Sequence, residues 1–413
     1  MKTPGSEEGY ELTLAAEGPA AEVAPEAEPQ SPAEWIRKNL FPSAWSGVLT
    51  VVMGAVAMWV VYVAASFVFQ GADWSVLKRN LRLYMTGRFP LDEMWRVWTW
   101  VYALALLAGL SRGATARVRP TTLGIIWRVV VLVASLGSLL YLVDSTLVTA
   151  LSIGAVVTLV VANLLGRLAG RAIRRPLLIG WILLFPFVIL VLRAFDGVKA
   201  ELWGGFMLNV LVAVVAIFVS FPIGILLALG RRSTLPAVRT FCVGFIEFIR
   251  GCPLAVLIFV GIYVFPLLLP PGVDPSNIVL AMAVFTIFST VYVAEIVRGG
   301  LQGVPEGQYE ASSALGLRYP RMMRAVVLPQ ALGNTIPAMI SHFISLFKDT
   351  SLLVVVGLFD DLASAANNAT TAFEFIGREA EALLPAAFIF WVVAFSMSRW
   401  SQRVETRVGV GVR

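Results

Sequence analysis

The sequence predicts an all-α integral membrane protein, a polytopic helical bundle of about 8–10 transmembrane helices. Three observations carry that reading. Apolar residues make up 58% of the 413 positions and charged residues 14%, against roughly 45–50% and about 25% in soluble domains. The apolar residues gather in runs that match the ~20 residues a helix needs to cross a hydrocarbon core. Most arginines flank those runs, as the positive-inside bias requires of cytoplasmic loops. The net charge of +6 therefore argues for a lipid bilayer as surroundings and not for nucleic acid.

In chain order, residues 1–40 read as a disordered acidic tail. Glu7, Glu8, Glu11, Glu17, Glu22, Glu26 and Glu28 alternate with Ala and Pro, a composition that cannot bury a core. A secretory signal needs a basic start and an early apolar run, and neither is present. Residues 41–198 form an N-terminal accessory region. Its expected crossings are residues 45–69, a short Trp-rich run at 95–110, then 124–143, 147–165 and 177–192. Residues 199–413 hold the rest: 203–230, 238–269, 277–297, 330–356 and 383–397. The run at 238–269 is too long for one straight helix. Glu247, Arg250, Gly251 and Pro253 interrupt it, which predicts a short helix, a break, and then a crossing helix.

Arginine placement orients these segments. Arg167, Arg171, Arg174 and Arg175, then Arg231 and Arg232, then the loop around residue 318 and the tail fall on one side when the chain crosses ten times. That side is expected to be cytoplasmic, with both termini on it. Asp274, Asp360, Asp361, Glu374, Glu379 and Glu381 fall outside. Lys78, Arg79, Arg82 and Arg88 disagree, since the same count puts them outside too. Eight or nine crossings stay open for that reason.

Soluble-enzyme chemistry finds little support. The chain has one histidine, His342, and two cysteines, Cys242 and Cys252, without metal-ligand spacing. It lacks a GxxxxGK[ST] phosphate loop, so any ATP driving it is expected on another subunit. A metal site, a cofactor and a nucleophile–base pair are not expected.

The polar stretch at residues 304–329 organises the second half. Pro305 and Glu306 suit a helix start. Tyr309 to Leu315 favours helix, Gly316 suits its C-terminal turn, and Pro320 fits the first turn of a second short helix. The pattern predicts a compact helix–Gly–helix knob. Within it Glu310, Ala311, Gly316, Val326, Leu328 and Pro329 resemble the EAA loop of permeases in ABC importers, E-A-A-x3-G-x9-I-x-L-P. Ser312 and Val326 are mild departures from that pattern.

Further segments resemble the branch that takes up polar and L-amino acids. Arg250-Gly251-Cys252-Pro253 is similar to its R-G-T-P, and Ala294-Glu295-Ile296-Val297-Arg298-Gly299-Gly300 to its A-E-I-x-R-G-G. Gln302 to Gln308 is similar to Q-x-V-P-x-G-Q. Leu328-Pro329-Gln330-Ala331 and the Lys348-Asp349-Thr350-Ser351-Leu352 segment match L-P-Q-A and K-x-T-S-L. With its extra first half, the chain resembles the larger membrane subunit of general L-amino-acid importers.

The resemblance implies a five-helix permease core in the second half, working by alternating access in the bacterial inner membrane. It implies a coupling loop at residues 300–329, docked on an ABC ATPase dimer that holds ATP and magnesium. A second homologous permease and a periplasmic amino-acid-binding protein are the other implied partners. An ion-coupled carrier and a non-transporting scaffold are the alternatives.

Charges at membrane depth are costly, roughly 2.5–3.5 kcal/mol on insertion scales. Glu247 with Arg250, and Glu295 with Arg298, are spaced to pair on one helix face and are read as anchors of helix ends. Lys348 and Asp349 divide evenly between gating and lining the path, beside Thr350 and Ser351. Asn209, Ser220, Ser289, Thr290, Asn334, Ser341 and Ser345 are candidates for a substrate path. Small polar residues in membrane helices also serve packing, and His342 is read that way.

Overall fold

The computed structural model describes residues 31–115, 145–194, 196–357 and 359–408. They divide into two units, the first ending at Ala72 and the second beginning at Asp73. In the first unit α1 (Pro32–Leu40) starts on a capping box: the Ser31 hydroxyl accepts from the Glu34 amide, and the Glu34 carboxylate accepts from the Ser31 amide at 3.0 Å. α2 (Ala44–Ser66) continues as a π turn to Gly71. No residue of α2 is buried, and Trp45, Met58 and Tyr62 stand open. Such a charge-free helix suits hydrocarbon, where its own backbone bonds satisfy every peptide group.

The second unit begins with α3 (Ser75–Thr86) and α4 (Met94–Ala114), followed by α5 (Thr146–Ala169) and α6 (Arg174–Arg193). The run expected to cross at 124–143 lies outside the described residues. α4 and α5 run parallel with their backbones touching. A Cβ on Gly113 would collide with the Asn163 carbonyl oxygen, and one on Gly166 with that of Leu110. Ala105, Gly109 and Gly113 on α4, spaced by four, make this approach possible. α6 runs antiparallel to α4. Arg96, only 2% exposed, ties the two: it pairs with Glu93 at 2.6 Å and donates to the Val191 and Ala194 carbonyls at 2.6 and 2.7 Å. It thereby caps the α6 carbonyls that have no partner within the helix.

The remaining helices are α7 (Gly205–Arg231), α8 (Pro236–Gly251), α9 (Leu254–Phe259, extended by tighter and wider turns to Leu268) and α10 (Asn277–Gln302). α11 (Glu306–Ala314), α12 (Tyr319–Met322), α13 (Leu328–Asp349) and α14 (Leu353–Val356) follow, then α15 (Leu362–Ala369) and α16 (Glu379–Val408). The centre lies between α7 and α10, where Leu208, Val212, Ala216, Ala281 and Phe285 are buried. The interrupted run breaks where Gly251 and Pro253 predict it, and α8 meets the α9 segment at 105°.

Seven described helices are long and apolar enough to cross a bilayer, or eight if the bent pair is one span. α4, matching the Trp-rich run at 95–110, is outside that set; it carries Arg96 and Arg112. Among the described residues the count is therefore lower than the ten segments drawn from the sequence.

The ends of this bundle differ in charge. α3, which carries Lys78, Arg79 and Arg82 with Arg88 just beyond it, packs at the end of Asp360 and Glu374, opposite α11. Arg88 pairs with Asp360 at 2.9 Å, Arg79 pairs with Glu374, and the Tyr84 hydroxyl donates to the Ala382 carbonyl at 2.8 Å. Acids far along the chain thus answer two of those arginines. The positive-inside bias weighs residues by sequence and is blind to such pairing.

Candidate functional site

α11 projects from the end of the bundle where α7 and α10 finish. Glu306 opens it at the positive dipole end. Ser312, on its inward face, is buried and its hydroxyl donates to the Gln308 carbonyl at 2.6 Å. Glu310, Ala311, Ser313 and Leu315 face outward, with Leu315 80% exposed. Gly316 has φ of 71°, the left-handed value that ends a helix, and the Leu317 amide returns to the Ser312 carbonyl at 3.1 Å. The expected second short helix is not separate. Tyr319–Met322 passes through a π turn at Met323–Val327 straight into α13, so residues 319–356 form one span. Leu328 and Pro329, expected in the loop, are the first turn of that long helix. Pro329 follows directly on the π turn, where the regular hydrogen-bond ladder is already interrupted.

α11 is tied down at its base. The Tyr309 hydroxyl donates to the Leu301 carbonyl in the last turn of α10 at 3.3 Å, and accepts from Arg232 just past α7 at 3.3 Å. Gln330 on α13 donates to the Gln308 side chain at 3.2 Å. Beside it lies a charge cluster. Arg231 donates to Glu247 on α8 at 3.0 Å and to Glu295 on α10 at 2.8 Å. Glu295 also accepts from Arg298 at 3.0 Å and lies 3.7 Å from Arg250, which is 3.8 Å from Glu247. The two i,i+3 pairs expected from spacing are present, and Arg231 joins them into one network. Gly251 and Pro253 form the sharp bend by which the chain leaves this network for the α9 segment.

The polar residues proposed for a path fall into two sets. Asn209 is fully buried. It donates to the Thr350 carbonyl and hydroxyl, each at 3.2 Å, and accepts from the Leu362 amide at 2.9 Å. Ser220 and Ser289 are also fully buried, 2.9 Å apart, and Ser289 lies 3.0 Å from His342 Nε2. Thr290 donates to the Thr286 carbonyl at 2.7 Å. These groups face the interior of the chain.

Asn334, Ser341 and Ser345 are exposed, together with Ala338 and Lys348. Their spacing of four, three, four and three puts all five on one face of α13. Asp349 and Ser351 are half-buried where α13 ends, and Thr350 is fully buried. At this end Asp361 caps α15, accepting from the Ser364 hydroxyl at 2.6 Å. Its burial pushes its carboxyl above the usual range, against the pull of the Ser364, Ala363 and Asn209 hydrogen bonds.

Comparison with known proteins places this architecture. Residues 220–410 match the family described as the binding-protein-dependent transport system inner membrane component. The inner membrane amino-acid ABC transporter permease protein YhdY of Escherichia coli K12 is 35% identical over 395 residues, covering 91% of this chain and 93% of its own length. The chain belongs to that family. The glutamate/glutamine/aspartate/asparagine transport system permease protein BztC of Rhodobacter capsulatus is 34% identical over 91% of this chain and 93% of its own length. The probable glutamine ABC transporter permease protein GlnP of Bacillus subtilis is 32% identical, over 50% of this chain but 94% of its own length. About half of the chain thus corresponds to nearly all of a shorter member of the family, and the two longer relatives extend along the other half as well.

Proposed function

We propose that this multi-pass inner-membrane permease carries L-amino acids inward for an ABC importer, and that α11 couples it to a separate ATPase subunit. The observation that carries the proposal is α11 itself. Its outer face, with Glu310 and Ala311, is open, while its base is fixed to α7, α10 and α13. A contact free on one side and braced on the other suits a rigid-body push from an ATPase dimer that holds ATP and magnesium. This chain then hydrolyses nothing and acts as a transport subunit.

Residues 199–413 form the permease core in this reading, and residues 41–198 the accessory region. The exposed face of α13 suits the substrate path. Asn334, Ser341 and Ser345 are costly against lipid and favourable beside water or a second homologous permease. Lys348 stands at the outer end of that face, where a substrate carboxylate would meet a cation. The α11 end, rich in arginine, is assigned to the cytoplasm together with both termini, and a periplasmic amino-acid-binding protein serves the opposite end. Transport follows from a population shift between outward and inward access driven by the ATPase.

The test is uptake of labelled L-amino acids by inner-membrane vesicles, together with capture of the ATPase through a tag on this chain. Wild type accumulates label only with ATP, and Glu310→Lys loses both uptake and capture. Uptake that survives ATP depletion on an ion gradient alone, with Glu310→Lys silent, would favour an ion-coupled carrier instead. No accumulation at all, with the complex intact, would leave a scaffold.

A further inference from the structure

We infer that Arg231 and Arg232, adjacent at the end of α7, are positioning residues that carry movement of α11 into the crossing helices. The inference rests on the coupling role proposed for α11. It goes further in naming the route by which that movement leaves the loop.

The geometry is specific to this dipeptide. Arg232 reaches forward: it donates to the Tyr309 hydroxyl at 3.3 Å, and its guanidinium lies 5.9 Å from the centre of the same ring. Tyr309 immediately precedes Glu310 on α11. Arg231 reaches the other way, to Glu247 on α8 and Glu295 on α10. One turn of backbone therefore holds α7, α8, α10 and α11 at once.

The two contacts differ in kind. The Arg231–Glu295 pair is partly shielded, with side chains 24% and 15% exposed, and Glu295 is further held by Arg298 and Arg250. Shielding weakens screening by salt and fixes the pair in one arrangement. The Tyr309 hydroxyl is a lighter joint. It accepts from Arg232 and donates to Leu301, so it links α11 to α7 and α10 through one oxygen. A firm knot on α7, α8 and α10 and a single-oxygen hinge to the loop is an arrangement that transmits displacement without locking the loop in place.

Arg231 suits the knot because its guanidinium stays charged and each terminal nitrogen carries two N–H groups, enough for one carboxylate apiece. Arg231 donates to both acids through the same nitrogen. The sequence shows Arg231 and Arg232 only as a cytoplasmic charge pair; their distinct partners lie 16, 64 and 77 positions away.

The test uses the whole complex, purified through a tag on this chain and reconstituted in liposomes. ATP hydrolysis and uptake of a labelled L-amino-acid mixture are measured in the same vesicles. Tyr309→Phe removes the hinge oxygen and keeps the ring; Arg232→Gln removes its partner.

Each is expected to lower amino acid moved per ATP by about fivefold or more, the scale of the one hydrogen bond both remove, with ATPase capture and protein abundance unchanged. The double variant is expected to lose less than the product of the two single losses, since both remove the Arg232–Tyr309 hydrogen bond. Arg231→Gln should uncouple as well, and Arg231→Lys should recover part of the ratio. Additive losses, an unchanged ratio, or loss of ATPase capture in Tyr309→Phe would overturn the inference. Wild-type vesicles that show no ATP-dependent uptake would instead overturn the transport reading on which it rests.

Discussion

Gly316 offers the sharpest test of how the loop works. Its φ of 71° lies in the left-handed region, and a Cβ built there meets nothing within 4 Å. Any penalty of substitution in this chain is therefore backbone strain and not collision. An L-residue held left-handed costs roughly 1–2 kcal/mol, more for a β-branched side chain. That is far too little to unfold a polytopic bundle. It is enough to lower the population of the native turn by about 5- to 30-fold, because the turn is held by short local bonds such as Leu317 N–H to the Ser312 carbonyl.

Gly316→Val is therefore expected to reach the membrane at normal abundance, with little change in thermal unfolding, yet to capture the ATPase poorly and to lose uptake. Gly316→Asn is expected to retain most of both, since asparagine tolerates the left-handed region. Capture, uptake and thermal unfolding measured on the same preparations decide the matter. Equal loss in Val and Asn variants would refute the strain argument and point to crowding against the partner. Full activity in both would show that the turn is not needed.

The remaining predictions concern the scaffold. Gly113→Ala drives a methyl into the Asn163 carbonyl and should lower the thermal unfolding midpoint by an amount equivalent to ~1–3 kcal/mol, whereas Gly54→Ala on α2, with open space around it, should be neutral. Asn209→Ala leaves the Leu362 amide without its acceptor and should cost about 1–3 kcal/mol, read as a lower midpoint in detergent; no change would mean the Thr350–Leu362 end is held by other contacts. Burial raises the Tyr84 phenol from 10.0 to about 12, so the fold favours the neutral form. The stability it confers is complete below the unfolded value near 10 and drains away as pH rises through the folded value near 12. Tyr84→Phe should accordingly show a flatter loss of thermal stability over that alkaline range than wild type does.

Part of the candidate site was legible because its signals are local. Gly316 at a helix end, Pro305 ahead of a helix start, and Gly251 with Pro253 at a break each act through their own backbone torsions, and each marks such a feature in the fold. The separate second helix of the knob failed for a complementary reason. Pro320 does open a helix, but nothing in residues 323–327 stops it, and a π turn carries it into α13. The glycine spacing of α4 was not read from the sequence, because its meaning depends on a neighbour that only folding brings alongside.

By itself the sequence determined that this chain lives in a bilayer, where most of its crossings run, and where a short polar helix closed by glycine stands between two of them. Those properties follow from run length, composition and local torsion, which need no knowledge of neighbours. Tertiary structure decided which way each polar side chain turns. Asn209 and Ser289 look like Ser341 and Ser345 in sequence, each a polar residue in an apolar helix, but the first two bond inside the chain and the others stand open on α13. Likewise Arg79 on α3 and Arg88 just after it broke the charge rule until Glu374 and Asp360 came beside them. An apolar run fixes a helix and its length. Rotation about the helix axis, and hence the face each residue presents, is set by helices that lie from about fifty to about three hundred positions away in the chain and a few ångströms away in space.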